Sequence, residues 1–127
     1  MKANELRIGN YVEYNGIIET CYSIRQSGVD FNRGKTNKGN ITQSYVWDAI
    51  QPIPITEQWL IDFGFEKRER FYNIPIKNKG ILWVYLEREF CELGTRCGYS
   101  FAEIDCKHIH QLQNLHFALT GTELSKK

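Results

Sequence analysis

Apolar and polar residues alternate with a period of two through most of the first half of this chain. "IGNYVEYNG" alternates and closes at Asn15-Gly16, a pair suited to the left-handed backbone of a type I′ hairpin turn. "IIETCYSI" answers it, with Ile18, Thr20, Tyr22 and Ile24 on one face and Ile17, Glu19, Cys21 and Ser23 on the other. "GVDFN" and "ITQSYVWDAI" are further strand candidates, separated by the Gly- and Asn-rich "RGKTNKGN", which reads as a loop. Short strands follow one another without a helical period up to residue 54. That pattern predicts a small curled barrel of the SH3 or Tudor kind, because closure leaves no long exposed edge.

The pattern changes at "IQPIPIT". Pro52 and Pro54 push the residues before them toward extended backbone and end the strand-rich half. A short helix is expected next: Thr56 as N-cap, Glu57 in the first turn, Trp59, Leu60 and Phe63 as the apolar face, Gly64 as the left-handed stop. "RFYNIPI", "GILWVYLEREF" and "YSFAEI" read as three strands. From residue 81 to 86 both faces are apolar, so the strand needs cover on both sides, from helices on one and from the barrel or a second subunit on the other. Beyond Leu86 the pattern relaxes into "EREFCELG", expected to be a solvated extension. Asp105 as N-cap, Ile109, Leu112, His116 and Leu119 at helical spacing, and Gly121 as stop predict an amphipathic helix over residues 106–119. Leu115 and Ala118 widen its apolar stripe. The expected fold is α+β: a small barrel-like half over residues 1–54, then an α-β-β-β-α half over residues 55–127, the two sharing one core.

Composition changes this picture little and narrows the function. The chain has 127 residues, enough for one domain or two very small ones. Sixteen basic residues against fifteen acidic ones leave a net charge of +1, so no global attraction to nucleic acid or membrane is implied, and any such binding must come from local clustering. The polar N-terminus lacks the apolar core of an export signal, and the apolar run "GILWVYL" is far short of a membrane helix. Cys21, Cys91, Cys97 and Cys106 form no C-x-x-C pair. Reduced thiols and a cytosolic setting are expected.

Candidate chemistry is sparse. "DCKHIHQLQNLHFALTG" holds all three histidines. On a strand Cys106, His108 and His110 would share a face and could ligate zinc, but on a helix His108 points away, so packing and capping roles are expected and no metal. "GKT" at residues 34–36 lacks the glycine at 29 that a phosphate loop requires. Glu87, Glu89 and Glu92, and the mixed-charge "EKRER", read as solvated surface. No paired nucleophile and base is marked, so no catalytic residue and no cofactor are assigned. What remains is a basic loop: Arg25, Arg33, Lys35 and Lys38 face one acid, Asp30, with Tyr45 and Trp47 on the next strand. Cations beside stackable aromatics are the composition that holds nucleotides or single-stranded nucleic acid.

Three phrases, "NELRIGNYV", "PIPITEQWLIDFGFEK" and "HQLQNLHFALTGTEL", resemble in order a group of small proteins encoded in phages, prophages and integrative elements of gut bacteria. The resemblance spans residues 5–124. Relatives tend to carry an aromatic at the place of His116, and other residues at those of Cys106 and His108, which fits packing rather than ligation. The resemblance implies a bacterial host cytoplasm and a protein that acts on the host or its defences, with no catalytic residue to transfer. The expected function is a non-catalytic binding module that captures a nucleotide-type ligand through Arg25, Arg33, Lys35, Lys38, Tyr45 and Trp47. The alternative is a protein–protein adaptor or inhibitor that masks a host or phage protein. Self-association into a homo-oligomer is expected in either case, and no membrane partner.

Overall fold

The structure, a computed structural model, describes residues 1–76, 80–95 and 99–126, with Thr36 and Phe101 described in backbone only. It is a mixed α+β protein of mostly antiparallel strands. The described residues hold two α-helices and no closed barrel. The chain divides into two compact units: Met1–Ile53 with Ile109–Asn114, and Pro54–His108 with Leu115 onward.

In the first unit, β1 (Tyr11–Tyr14) and β2 (Ile17–Thr20) form the expected hairpin. Asn15 and Gly16 both adopt positive φ, +50° and +78°, as a type I′ turn requires. The segment read as one strand over residues 17–24 is two. At Cys21 the backbone bonds both ways with residues 9 and 10, and at Tyr22 it turns to bond Asp30, where β3 (Ser23–Arg25) begins. The chain changes partner at that corner, so one alternation continues across two strands. β3, β4 (Gly28–Thr36) and β5 (Gly39–Val46) make a separate three-stranded antiparallel sheet. Val12, Cys21, Val29, Phe31 and Ile50 form the core, flanked by Tyr14, Ile24, Tyr45 and Trp47.

"RGKTNKGN" is not a loop. β4 runs through it to Thr36 and pairs with β5 as far as Gly39, leaving only residues 37 and 38 as the turn. A register shift between Asn32 and Gly34 makes Arg33 the extra residue of a bulge, and Gly34 takes φ +133°. The bulge hides the strand's period from a reading of alternation alone.

In the second unit, α1 (Glu57–Asp62) starts as expected, with Thr56 Oγ1 accepting the Trp59 N–H at 3.4 Å. Trp59, Leu60 and Phe63 are buried, and Gly64 takes φ +96°. The sheet has five strands rather than three, in the order β10 (Ser100–Asp105), β9 (Phe90–Thr95), β8 (Gly80–Tyr85), β7 (Tyr72–Pro75), β6 (Glu66–Lys67). "EREFCELG" is therefore not a solvated extension. Residues 86–88 make one 3-10 turn, Glu89 is left-handed at φ +56°, and β9 then returns along the whole of β8. Register places Tyr72, Leu82, Val84 and Cys91 on one face, all buried. On the other face lie Phe71, Trp83, Tyr85 and Phe90. Trp83 is buried there against Gly94, where an added Cβ would fall 2.5 Å from its ring. The doubly apolar strand thus finds part of its second cover in its own sheet.

The last helix, α2 (Ile109–Thr120), begins three residues later than expected. Asp105 is the last residue of β10 rather than an N-cap. Cys106 N–H donates to Glu89 O at 3.0 Å, His108 bridges to Pro54, and Ile109 N–H donates to Ile53 O at 2.8 Å. These pairings hold residues 105–108 extended. Ile109, Leu112 and His116 form the expected buried stripe; Ala118 is exposed. Gly121 closes the helix at φ +73°.

Candidate ligand groove

Two connections of the five-stranded sheet project charged side chains over the aromatic face. Between β6 and β7 the chain turns tightly, with Arg68 N–H donating to Phe71 O at 2.8 Å, and presents Arg68, Glu69 and Arg70. Between β8 and β9 the 3-10 turn presents Glu87 and Arg88. Together with Glu57, Lys67, Phe71, Tyr72 and Tyr85 these residues line an open groove of about 900 Å³. Small-molecule sites run from about 300 to 1,000 Å³ and combine apolar walls with a few convergent polar groups.

The charges of the groove are of two kinds. Lys67 is paired with Glu57 at 2.9 Å, which raises the lysine's pKa and lowers that of the carboxyl, and Arg68 is paired with Glu66 at 2.9 Å. Both pairs are exposed and so add little stability. Arg70 and Arg88 are exposed and have no hydrogen-bond or ion-pair partner among the described residues. An unpaired guanidinium presents a planar fork of donors matched to phosphate or carboxylate. Beside them the rings form a continuous row: Phe71 to Trp83 at 6.4 Å edge-on, Phe71 to Tyr85 at 5.8 Å and 50°, Tyr85 to Phe90 at 4.9 Å and 20°. Burial, and then Glu92, push the Tyr85 hydroxyl pKa up, and burial does the same at Tyr72. Both phenols stay neutral donors at physiological pH.

The six residues singled out by sequence lie in the first unit, spread over two faces of the β3–β5 sheet. Arg33 lies on the core-facing side with Tyr45. It makes a two-oxygen contact with Glu19 at 2.9 and 2.7 Å, donates to Gln43 at 2.7 Å and sits 5.5 Å above the Phe31 ring. The Glu19 bond raises its pKa further. Tyr45 packs on Tyr14 at 4.1 Å and on Phe31 at 5.4 Å. Register puts Arg25 and Lys35 on the opposite side, where Arg25 pairs with Asp30 at 2.8 Å. Trp47 donates from Nε1 to the Arg25 and Gln26 carbonyls, and Lys38 is in the hairpin turn. Arg33 and Tyr45 come together, whereas Arg25 and Lys35 lie on the other side of the sheet.

Arg70, Arg88, Phe71 and Tyr85 do not stand out in the sequence, because "EKRER" and "EREFCELG" look like ordinary solvated charge. The available signal was an arginine close to an aromatic in sequence: Arg70 directly before Phe71, and Arg88 in the short stretch between Tyr85 and Phe90.

His116 is buried at the end of α2, its Nδ1 3.0 Å from Thr122 O and 3.3 Å from Thr120 Oγ1. Cys106 is buried in contact with Cys91, whose thiol pKa is raised by that hydrogen bond and by burial. Cys97 lies outside the described residues. Among the described residues no three His, Cys, Asp or Glu side chains converge as metal ligands, and no helix is long and apolar enough to cross a membrane. Compared with protein-family models, curated proteins and solved structures, the chain matches none.

Proposed function

We propose that this protein is a non-catalytic accessory module of a phage or mobile element, working in the bacterial host cytoplasm by capturing a nucleotide-type ligand. The supporting observation is the groove in which Arg70 and Arg88, without partners among the described residues, stand beside the Phe71–Tyr85 rings. Phosphate meets the guanidiniums and a base stacks on the rings. Glu69 and Glu87, also at the rim, accept hydrogen bonds from base or sugar donors. The strand-rich first unit is read as a relative of the SH3 and Tudor barrels, opened at the seam between its two sheets.

The loop residues Arg25, Arg33, Lys35, Lys38, Tyr45 and Trp47 remain the second place for the same ligand, and one experiment separates the two. Titration calorimetry with a nucleoside monophosphate is run on Arg70→Ala/Arg88→Ala and on Arg33→Ala/Lys35→Ala. The groove pair should lose ten- to a hundred-fold in affinity, the size of one charge-assisted bond of about 1.5–3 kcal/mol. Its melting temperature should stay within about 1 °C of wild type, because both side chains are exposed. Loss in the loop pair alone moves the site to the first unit.

A protein-masking adaptor is the second reading. Ile8, Ile17, Ile18 and Val46 are each more than 40% exposed in the first unit, the kind of surface that a partner or a second copy covers. Light scattering that shows a monomer at high concentration removes the self-associating form of it.

A further inference from the structure

We infer that the ligand of the groove is a single-stranded nucleic acid of at least two nucleotides, rather than a mononucleotide; this rests on the nucleotide reading above. The groove brings two rings tilted to one another, Phe71 and Tyr85, together with two arginines, Arg70 and Arg88. Tyr85, which lines the groove, is stacked on Phe90 at 4.9 Å and 20° and presents one stacking platform. Phe71 is tilted from Tyr85 by 50°, and so presents a second platform with its own orientation. All three rings are partly exposed. They belong to three adjacent strand positions: Phe71 just before β7, Tyr85 at the end of β8, Phe90 at the start of β9. With neighbouring strands about 4.8 Å apart, the row is about 10 Å long. A single base covers one platform and leaves the other bare.

Two arginines, Arg70 and Arg88, line the same groove as the rings of Phe71 and Tyr85. Arg70 precedes Phe71, and Arg88 lies in the turn joining Tyr85 to Phe90. Aromatic ring plus cation, repeated along a groove, is how single strands are tracked without base-specific hydrogen bonds. The groove's 900 Å³ stands near the top of the small-molecule range, which leaves room for a second nucleotide. A duplex keeps its bases stacked inside and cannot use the rings.

The test measures affinity for 5′-phosphorylated mono-, di- and tetranucleotides, in ribo and deoxy forms, and for a duplex of matched length. The expected result is a gain of at least ten-fold from mono- to dinucleotide. Phe90→Leu, which removes the ring stacked on Tyr85, should lower dinucleotide affinity more than mononucleotide affinity. Dinucleotide affinity should fall with salt at a slope of about −1.4, the value for two phosphate contacts on a single strand. Mono- and dinucleotide binding equally well would overturn this inference and leave the nucleotide reading standing. Duplex binding as tight as single strand would overturn it too, since the contacts would then be to phosphate alone. Binding of neither mono- nor oligonucleotide would remove the nucleotide reading itself.

Discussion

Gln113 is fully buried, and its amide is used from both ends: Nε2 donates to Gly9 O at 3.1 Å, and Oε1 accepts the Tyr11 N–H at 2.8 Å. Asn10, equally buried, accepts the Arg7 N–H at 2.7 Å and donates to Asn114 at 2.9 Å. A hydrophobic periodicity cannot reveal such residues, because a buried amide reads as a polar surface position until its partners are known. Gln113→Leu should lower unfolding stability by about 2–4 kcal/mol in urea titration, since Gly9 O and Tyr11 N–H would both be left without a side-chain partner. Gln113→Ala should cost at least as much, because it also leaves a void. Cys21 gives a residue-scale pH prediction. Burial pushes its thiol from about 9 up to about 12, so the folded state holds it neutral while the unfolded chain ionises it near 9. The contribution is complete below pH 9 and is lost as pH rises from about 9 toward 12. By pH 10 it should have removed about 1.4 kcal/mol, an effect absent from the difference between pH 8 and pH 10 in Cys21→Ala.

Among the elements, those closed by their own caps were legible in the sequence. Thr56 and Gly64 bound α1, Gly121 ends α2, and Asn15-Gly16 turns the first hairpin, each through local backbone chemistry that neighbouring elements do not override. Elements defined by pairing were less legible. β9 does not stand out in the sequence, because Glu87, Arg88 and Glu89 precede a strand with only Cys91 and Leu93 as large apolar residues on its core-facing side. α2 starts three residues later than the N-capping propensity of Asp105 predicts, because pairings of residues 106–109 with distant partners win over it. The aromatic groove belongs to the same class, assembled from two connections that lie 17 residues apart at Arg70 and Phe71 against Glu87 and Arg88. Pairing also sets the tolerance of glycines. An alanine Cβ at Gly28 would meet Tyr45 O at 2.0 Å, so Gly28→Ala must part β4 from β5. Its expected cost is about 3 kcal/mol. Gly39, at the other end of the hairpin, has open space but φ +116°. Gly39→Ala should cost about 1 kcal/mol through backbone strain alone. Thermal melts of the two variants that fail to separate in this order would contradict the register of β4 on β5.

For the molecule as a whole, the sequence suggests a cut near residue 54, and a cut there has a structural consequence. The first compact unit is discontinuous: it takes Met1–Ile53 and then Ile109–Asn114 from α2. Those six residues supply Ile109 and Leu112, both buried, together with the Gln113 and Asn114 amides that bond residues 5, 9, 10 and 11. A fragment of residues 1–54 would expose that surface and leave the buried Asn10 side chain without its Asn114 partner. Fifty-odd residues without a complete core are marginal to begin with. The isolated fragment should therefore show no cooperative thermal transition and poor amide dispersion by NMR. Appending residues 105–121 through a Gly/Ser linker should restore both, because the linker returns the missing helical face at high effective concentration. Gln113→Leu in the appended segment should weaken that rescue, whereas Phe117→Ala, at a side chain 39% exposed and outside the first unit, should not. A fragment of residues 1–54 that folds cooperatively unaided would show that the barrel-like strands close their own core, and that α2 is an addition to this unit rather than a part of it.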